Sequence, residues 1–110
     1  MAEVRKILGQ ALPSAGVLTD LYAVPAATEA VSSTLTICER AGFPTTYRIS
    51  VAQGGAVDAP KQYVSFDSPL QANETKGFTI GMTLAATDVI RVRSASGNVS
   101  FNAFGVELTP

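Results

Sequence analysis

The sequence predicts an all-β domain: a single antiparallel β-sandwich, jelly-roll-like, with about eight short strands. Three observations lead to this fold class. Apolar and polar side chains alternate with a period of two along most of the chain, helical periodicity is nearly absent, and turn residues interrupt the alternation about every 8–12 residues. The 110 residues show no linker and no change of composition, so we expect one domain.

The first strands follow from this alternation in chain order. Two weaker candidates are "VRKILGQ" and "VLTDLYAV". A long strand is then predicted over about residues 30–40, with Val31, Leu35 and Ile37 on one face. After the turn signal "AGFP", another strand begins near residue 46 and ends before the glycine pair at 54–55.

Two further strands are predicted in the second half of the chain. Val64 and Phe66 alternate with Tyr63 and Ser65 in a strand that lies between two prolines. Residues 78–84 then alternate without interruption and predict one half-buried strand.

The last stretch, "DVIRVRSASGNVSFNAFGVEL", predicts a closing hairpin with "SASGN" as its turn and with Ile90 and Val92 pointing inward. Its apolar positions change parity part-way along the second strand. Val99, Phe101 and Ala103 share one parity, and the other is shared by Phe104, Val106 and Leu108. Either a β-bulge near Gly105 keeps both sets in apolar surroundings, or one set faces outward and forms a candidate docking patch.

The predicted domain organisation separates an N-terminal segment from the sandwich. Residues 1–16 contain Gly and Pro breaks and form either an arm or a first edge strand, and residues 17–110 form the sandwich. As an arm, the segment would add a strand to the sheet edge of a neighbouring protein.

Composition excludes several classes of partner. A net charge of −1 and a pI near 5.2 argue against a nucleic-acid partner, which usually requires a concentrated basic surface. No apolar run approaches the length of a membrane span, and polar residues interrupt the N-terminal stretch where a signal peptide would be apolar. We therefore expect no membrane partner and synthesis in a cytoplasm.

The chain carries no pattern that is typical of an enzyme. It has no histidine, no Gly-x-Ser-x-Gly elbow and no phosphate-binding loop. The acidic residues Asp58, Asp67, Glu74 and Asp88 fall at predicted turns, where such side chains cap backbone N–H groups. We therefore expect no enzymatic activity, no catalytic residue, no metal and no cofactor.

Candidate binding residues are few. Arg91 and Arg93 flank Val92 and project from one side of a strand, where they form either a solvated outer face or a site for a phosphate, a sulfate or an acidic partner. Sugar binding is not indicated, because the Tyr and Phe residues mostly occupy alternating positions consistent with burial. The candidate interface consists of Arg91, Arg93, Phe101, Phe104, Val106, Ile7 and Leu8.

Six blocks, in order, resemble a family of small all-β proteins encoded in tailed-phage genomes. The blocks are "KILGQALP", "LTDLYAVPAAT", "STLTICERAGFPTTYRISVA", "KQYVSFDSPLQANET", "GMTLAATDVIRV" and "VSFNAFGVEL". Family members are more aromatic around residues 63–67 and often have histidine where this chain has Gln62. The resemblance implies a virion structural protein and supplies no catalytic residue.

The resemblance leads to a functional expectation. We expect an accessory virion protein of the capsid-decoration type, which docks on a larger capsid, neck or tail protein and self-associates. The alternative is a tail, collar or fibre adhesin that binds a host-surface glycan or receptor. "LAATDVIRV" is also similar to the Leu-x-x-Gly-Asp-x-Val pattern of trimeric jelly-roll heads related to tumour necrosis factor and complement C1q, with Thr87 in place of the glycine, which raises a trimer as the self-associated state.

Overall fold

The computed structural model describes residues 2–110, which form nine β-strands and two short 3-10 turns. The turns are Gln53–Gly55 and Pro60–Gln62. The strands are Ala2–Ala11 (β1), Thr19–Ala23 (β2), Glu29–Glu39 (β3), Thr45–Ala52 (β4), Tyr63–Leu70 (β5), Thr75–Phe78 (β6), Met82–Leu84 (β7), Val89–Ser94 (β8) and Val99–Thr109 (β9).

The strands form two antiparallel sheets. The first sheet has the order β1-β9-β3-β6, with β7 also paired to β3, and the second has the order β2-β8-β4-β5. Strands far apart in sequence therefore pair as β1 with β9, β2 with β8, and β3 with β6, β7 and β9, whereas the consecutive strands β4 and β5 pair with each other. This nesting of early strands with late ones is the double Greek key of a jelly roll. The predicted all-β sandwich is confirmed.

The core lies between the two sheets and is built from the inward parity of each strand. Ile90 and Val92 of β8 are fully buried, as the sequence predicts, and they belong to the same core cluster as the fully buried Phe101 of β9. Burying a side chain of this size contributes about 1.5–3 kcal/mol to stability. The inward-facing positions of these strands therefore hold the two sheets together.

The predicted closing hairpin is wrong. β8 belongs to the second sheet and β9 to the first, so residues 95–98 connect the sheets across one end of the sandwich. β9 pairs instead with β1 and β3, and β8 with β2 and β4. Short connections of this kind look like hairpin turns in sequence, because turn residues at 95–98 suit either arrangement.

The single strand predicted over residues 78–84 is also wrong, and a β-bulge in β3 explains why. β6 ends at Phe78, β7 begins at Met82, and Ile80 between them is exposed. β6 pairs with residues 35–38 of β3 and β7 with residues 30–32. The register of β3 against β9 shifts between these two segments, and a bulge bends its strand, so the neighbouring strand is divided at the same place.

Because of the same bulge, the predicted face of β3 is wrong at Val31. Ser32 pairs with Gly105 of β9 and Thr34 pairs with Phe104, which leaves Ser33 as the extra residue. Leu35 is buried as predicted, whereas Val31 is only half-buried. Parity therefore reverses across Ser33, and Val31 lies on the outer face of the sheet, opposite to Leu35.

The N-terminal segment contributes β1, an edge strand of the first sheet that pairs along its length with β9. Residues 12–18 then cross to β2 in the second sheet. Met1 lies outside the described residues.

Candidate docking face on the first sheet

Apolar side chains cover part of the outer face of the first sheet. At alternate positions along β9, the outward-facing residues are Phe104, Val106 and Leu108. Ile7 of β1 pairs directly with Phe104, and Val31 of β3 pairs directly with Val106. Directly paired side chains in antiparallel strands lie about 4.5–5.5 Å apart at Cβ. These five residues form one contiguous surface, which we call the outer apolar patch.

Two β-bulges in the neighbours of β9 create this arrangement. Leu8 is the extra residue of β1 opposite the step from Phe104 to Ala103, and Ser33 is the extra residue of β3 opposite the step from Gly105 to Phe104. β9 itself continues without an extra residue, so its parity does not change at Gly105. Of the two interpretations of the parity change, the structure therefore has the one in which the second apolar set faces outward.

Gly105 allows the sheet to close at this point. A Cβ atom on Gly105 would lie 2.9 Å from both the Val31 carbonyl carbon and the Ser32 Cα and would overlap the Val31 carbonyl oxygen. Side chains do not tolerate such distances to backbone atoms, so β3 approaches β9 this closely only because residue 105 is glycine.

The outer apolar patch is accessible and has a charged border. Ile7 is 51% exposed, and the other four members are half-buried. Glu3 and Arg5 of β1 lie opposite Leu108 and Val106, and their side chains form an ion pair of 3.3 Å in solvent. An apolar centre with a charged rim is the usual arrangement of a protein–protein docking surface.

Two residues of the predicted interface belong to the core. Phe101 has no exposed surface, and Leu8 is 8% exposed. Phe101 lies on the inward parity of β9, and the bulge in β1 turns Leu8 inward while Ile7 faces outward. Neither residue offers a surface to a partner, so the prediction is corrected at these two positions.

Arg91 and Arg93 do lie on the outer face of one strand, β8, but their guanidinium groups are engaged within the chain. Arg91 donates to the Gly55 and Ala56 carbonyl oxygens at 3.2 and 2.7 Å and to Asp20 Oδ1 at 3.2 Å. Arg93 Nε donates to the Gly16 carbonyl oxygen at 3.2 Å. These contacts fasten loops to the second sheet and occupy donors that an anion would need.

The most extensive carboxylate hydrogen bonding belongs to Glu39, at one end of the sandwich. Its side chain accepts hydrogen bonds from the backbone N–H groups of Ala41, Gly42, Phe43 and Asn73 at 2.7–3.2 Å. The N–H group of Asn73, followed by those of the neighbouring loop, holds the pKa of Glu39 below its ordinary value, because these bonds favour the charged form. Glu39 therefore ties together two loops, those after β3 and β5.

Asp88 has the corresponding role at the opposite end. Its carboxylate accepts from the Gly54 N–H at 2.8 Å and the Ala85 N–H at 2.9 Å, and its carbonyl oxygen accepts from the Val24 N–H at 2.9 Å. The predicted turn role of Asp88 agrees with these contacts. Asp67 differs from the prediction, because it lies within β5 and not in a turn.

A partly buried polar pair that the sequence analysis did not identify joins the two sheets. The Tyr22 hydroxyl of β2 donates to Glu107 Oε2 at 2.6 Å, and Lys6 Nζ donates to Glu107 Oε1 at 3.2 Å. Burial, followed by the Glu107 carboxylate, raises the pKa of Tyr22, and the Tyr22 hydrogen bond lowers the pKa of Glu107. The sequence did contain a signal for this pair, because Glu107 alternates with the outward-facing Val106 and Leu108 and therefore had to face inward.

Other sites were sought in residues 2–110. No group of three or more Cys, Asp or Glu side chains is placed to hold a metal ion in this part of the chain. Cys38 is half-buried and is a free thiol. None of the helical segments in residues 2–110 has the length and apolar character needed to cross a membrane.

Comparisons with known proteins give little information. The sequence matches no protein-family profile and no curated protein sequence. Its structure is similar to a chain in a structure of the Gx strain of infectious bursal disease virus, with a TM-score of 0.45 and 12% identity. The match covers 96% of this chain and 30% of that chain, so this protein spans less than a third of its neighbour. At this level of similarity the match carries no information about function.

Proposed function

We propose that this protein is a non-enzymatic accessory component of a tailed-phage virion, which docks on a larger virion protein through the outer apolar patch and associates with copies of itself. The patch carries the proposal. A sheet face that meets only water usually presents polar side chains, whereas here Phe104 pairs with Ile7 on one side and Val106 pairs with Val31 on the other.

The topology and the placement of the reactive groups support a structural role. Jelly rolls occur in viral capsid and lectin domains, and the strand order of this chain is that of a jelly roll. The best-connected ionisable side chains, Glu39, Asp88 and Glu107, hold loops or sheets together through short hydrogen bonds. These carboxylates therefore make the fold more rigid, and rigidity is what a repeated virion component requires.

A decoration protein also gains from repetition. A patch of five partly exposed apolar residues supplies a weak contact by itself, because association has to overcome the loss of translational and rotational freedom. If neighbouring copies also contact each other, each copy binds at a high effective concentration and the summed contacts become tight. Self-association, with a trimer as one candidate state, therefore belongs to the same proposal as docking.

The test is incorporation of patch variants into virions. Phe104→Ser and Ile7→Ser remove apolar area from the outer apolar patch, and Phe43→Ser removes the same kind of side chain from a loop where it is 72% exposed. We expect the two patch variants to be depleted from purified virions, and the Phe43 variant to be incorporated like the wild type. Thermal unfolding of each purified variant shows which are folded. Normal incorporation of a folded Ile7→Ser, Phe104→Ser double variant would contradict the proposal.

The location on the virion separates the decoration role from the tail role. Immunogold labelling or a virion density map with every copy located gives the copy number. Decoration predicts many copies over the head, whereas an adhesin predicts a few copies at the tail. Light scattering of the purified protein gives the oligomeric state independently of the virion.

A further inference from the structure

A cavity of about 470 Å³ opens on the outer face of the second sheet, where β5 forms the edge. It is separate from the outer apolar patch, which lies on the other sheet. Its size falls in the range of small-molecule sites, about 300–1,000 Å³. Six residues line it: Arg48, Asp58, Ala59, Pro60, Tyr63 and Phe66.

A bulge in β5 builds one wall of this cavity. Tyr47 of β4 pairs with Ser68, and Ile49 pairs with Ser65, so the two residues Phe66 and Asp67 lie opposite the single residue Arg48. Asp67 has a φ of 49°, in the left-handed region that few non-glycine residues adopt. Bulges at sheet edges redirect side chains, and this one brings both Phe66 and Asp67 into contact with Arg48.

The wall is fixed by contacts within the chain. Arg48 Nε and Nη2 donate to the two carboxylate oxygens of Asp67 at 2.6 and 3.2 Å, and the Arg48 guanidinium carbon lies 4.0 Å from the centroid of the Phe66 ring. The Tyr63 ring meets Phe66 edge-on, at a centroid distance of 5.0 Å. Planar groups held in this way are ordered before a ligand arrives, which lowers the entropic cost of binding.

The charges of the cavity favour a neutral ligand. Asp67 neutralises Arg48 through a two-pronged ion pair, and that pair keeps the pKa of Asp67 below its ordinary value. Asp58 adds a carboxylate to the lining. Burial, with Asp58 as the next cause, raises the pKa of Tyr63, so its hydroxyl stays protonated at neutral pH. An anion would meet Asp58 and a guanidinium that is already paired.

We propose that this cavity binds a neutral sugar, with a pyranose ring packed by its C–H face on the exposed surface of Phe66 and its hydroxyl groups bonded to Asp58 and Tyr63. Phe66 is 56% exposed although Arg48 covers part of it, so a flat apolar surface remains for the ring. A carboxylate and a phenol next to that surface match hydroxyl groups, which both donate and accept. A cation is less well matched, because Arg48 already occupies one face of the aromatic ring.

The first test is a titration of the ¹⁵N-labelled protein followed by amide chemical shifts. The probes are lactose, maltose and chitobiose at millimolar concentrations, with sodium phosphate and a polyproline peptide as the competing chemistries. We expect at least one disaccharide to shift the amides of residues 48, 58–59 and 61–67 while those of the outer apolar patch stay unchanged. If no disaccharide shifts these amides, or if only phosphate or only the peptide does so, the proposal is overturned.

The second test uses variants and the disaccharide that binds best. Phe66→Ala and Asp58→Asn should each weaken the affinity about tenfold or more, because each removes one of the two recognition elements. Phe43→Ala is the matched control, since it removes an exposed phenylalanine elsewhere and should leave the affinity unchanged. Asp58→Asn preserves shape and tests the site even if Phe66→Ala disturbs β5. Unchanged affinity in a folded Asp58→Asn variant would assign the shifts to another surface. Neither test depends on docking to a virion.

Discussion

Substitution of Gly105 by alanine tests the feature that orients the outer apolar patch. Gly105 lies in the middle strand between Lys6 of β1 and Ser32 of β3. A methyl group there would overlap the Val31 carbonyl oxygen and lie 2.9 Å from two further backbone atoms of β3. Backbone atoms of a paired strand cannot rotate away as a side chain can, so β3 and β9 would have to separate locally.

The expected cost follows from this geometry. Forcing extra atoms into a packed region costs about 1–3 kcal/mol where side chains adjust, and a clash with paired backbone belongs at the upper end. We therefore expect Gly105→Ala to lower the free energy of unfolding by about 3 kcal/mol. For a chain of this length that corresponds to a fall in Tm of roughly 12 °C. Gly77→Ala in β6 of the same sheet is the control, because nothing lies within 4 Å of a Cβ built there.

The assay is urea unfolding followed by circular dichroism, supported by thermal scans. With an m-value of about 2 kcal/mol/M, a loss of 3 kcal/mol moves the midpoint down by about 1.5 M urea. Gly77→Ala should move it by less than about 0.5 kcal/mol in equivalent free energy. If the two variants unfold at the same urea concentration, the close approach of β3 to β9 at Gly105 does not exist and the bulge at Ser33 must be placed elsewhere.

Three further predictions concern single contacts. Thr87 has a φ of 70°, which costs a β-branched residue about 1–2 kcal/mol. Thr87→Gly should therefore raise the Tm, with a net gain of up to about 1 kcal/mol after the extra entropy of unfolded glycine is subtracted. A lower Tm for this variant would show that Thr87 is unstrained, because the entropy of glycine would then act alone. Tyr22→Phe removes the hydroxyl that donates to Glu107 at 2.6 Å, and it should lower the free energy of unfolding in urea by about 1.5–3 kcal/mol. An unchanged free energy of unfolding would mean that Lys6 and solvent satisfy the Glu107 carboxylate without Tyr22. Because the folded pKa of Glu39 lies below its ordinary value of 4.5, its stabilising effect is complete above pH 4.5 and is lost as the pH falls through the folded pKa. In Glu39→Gln, the urea midpoint should therefore fall less steeply than in the wild type as the pH is lowered. Glu29→Gln, at an exposed position, should leave this pH dependence unchanged. If the midpoint of Glu39→Gln falls with pH as steeply as that of the wild type, Glu39 does not have this role.

Much of the fold could be predicted because period-two alternation is a local signal. Each strand with a regular pattern, such as β4 and β8, was located from its own residues. The pairing of strands was not, because the sequence does not record which partner each strand meets. The predicted hairpin of β8 and β9 failed for this reason: each strand is regular by itself, and its partner is about 40 or more residues away, in β4 for β8 and in β3 for β9.

The outer apolar patch was predicted in part for a related reason. The parity change in β9 was visible in the sequence, and it correctly marked Phe104 and Val106 as unusual. Its cause lies in two other strands, at Leu8 and Ser33, where one extra residue reverses which face a side chain occupies. Val31 was therefore assigned to the wrong face, and Leu8 was expected at a surface. A bulge leaves no clear mark in the sequence of the strand that contains it.

The cavity beside Arg48 and Phe66 could not be predicted, because it depends on such a bulge as well. Alternation in β5 predicted burial for its aromatic residues, whereas the extra residue opposite Arg48 leaves Phe66 exposed on the outer face. The two proposed sites then lie on opposite outer faces of the sandwich, one on each sheet. A copy that docks through the first sheet directs the second sheet, and with it the cavity, away from the surface that holds it. Docking and sugar binding are therefore compatible in one molecule, and a structural protein that carries this cavity would present it to the medium around the virion.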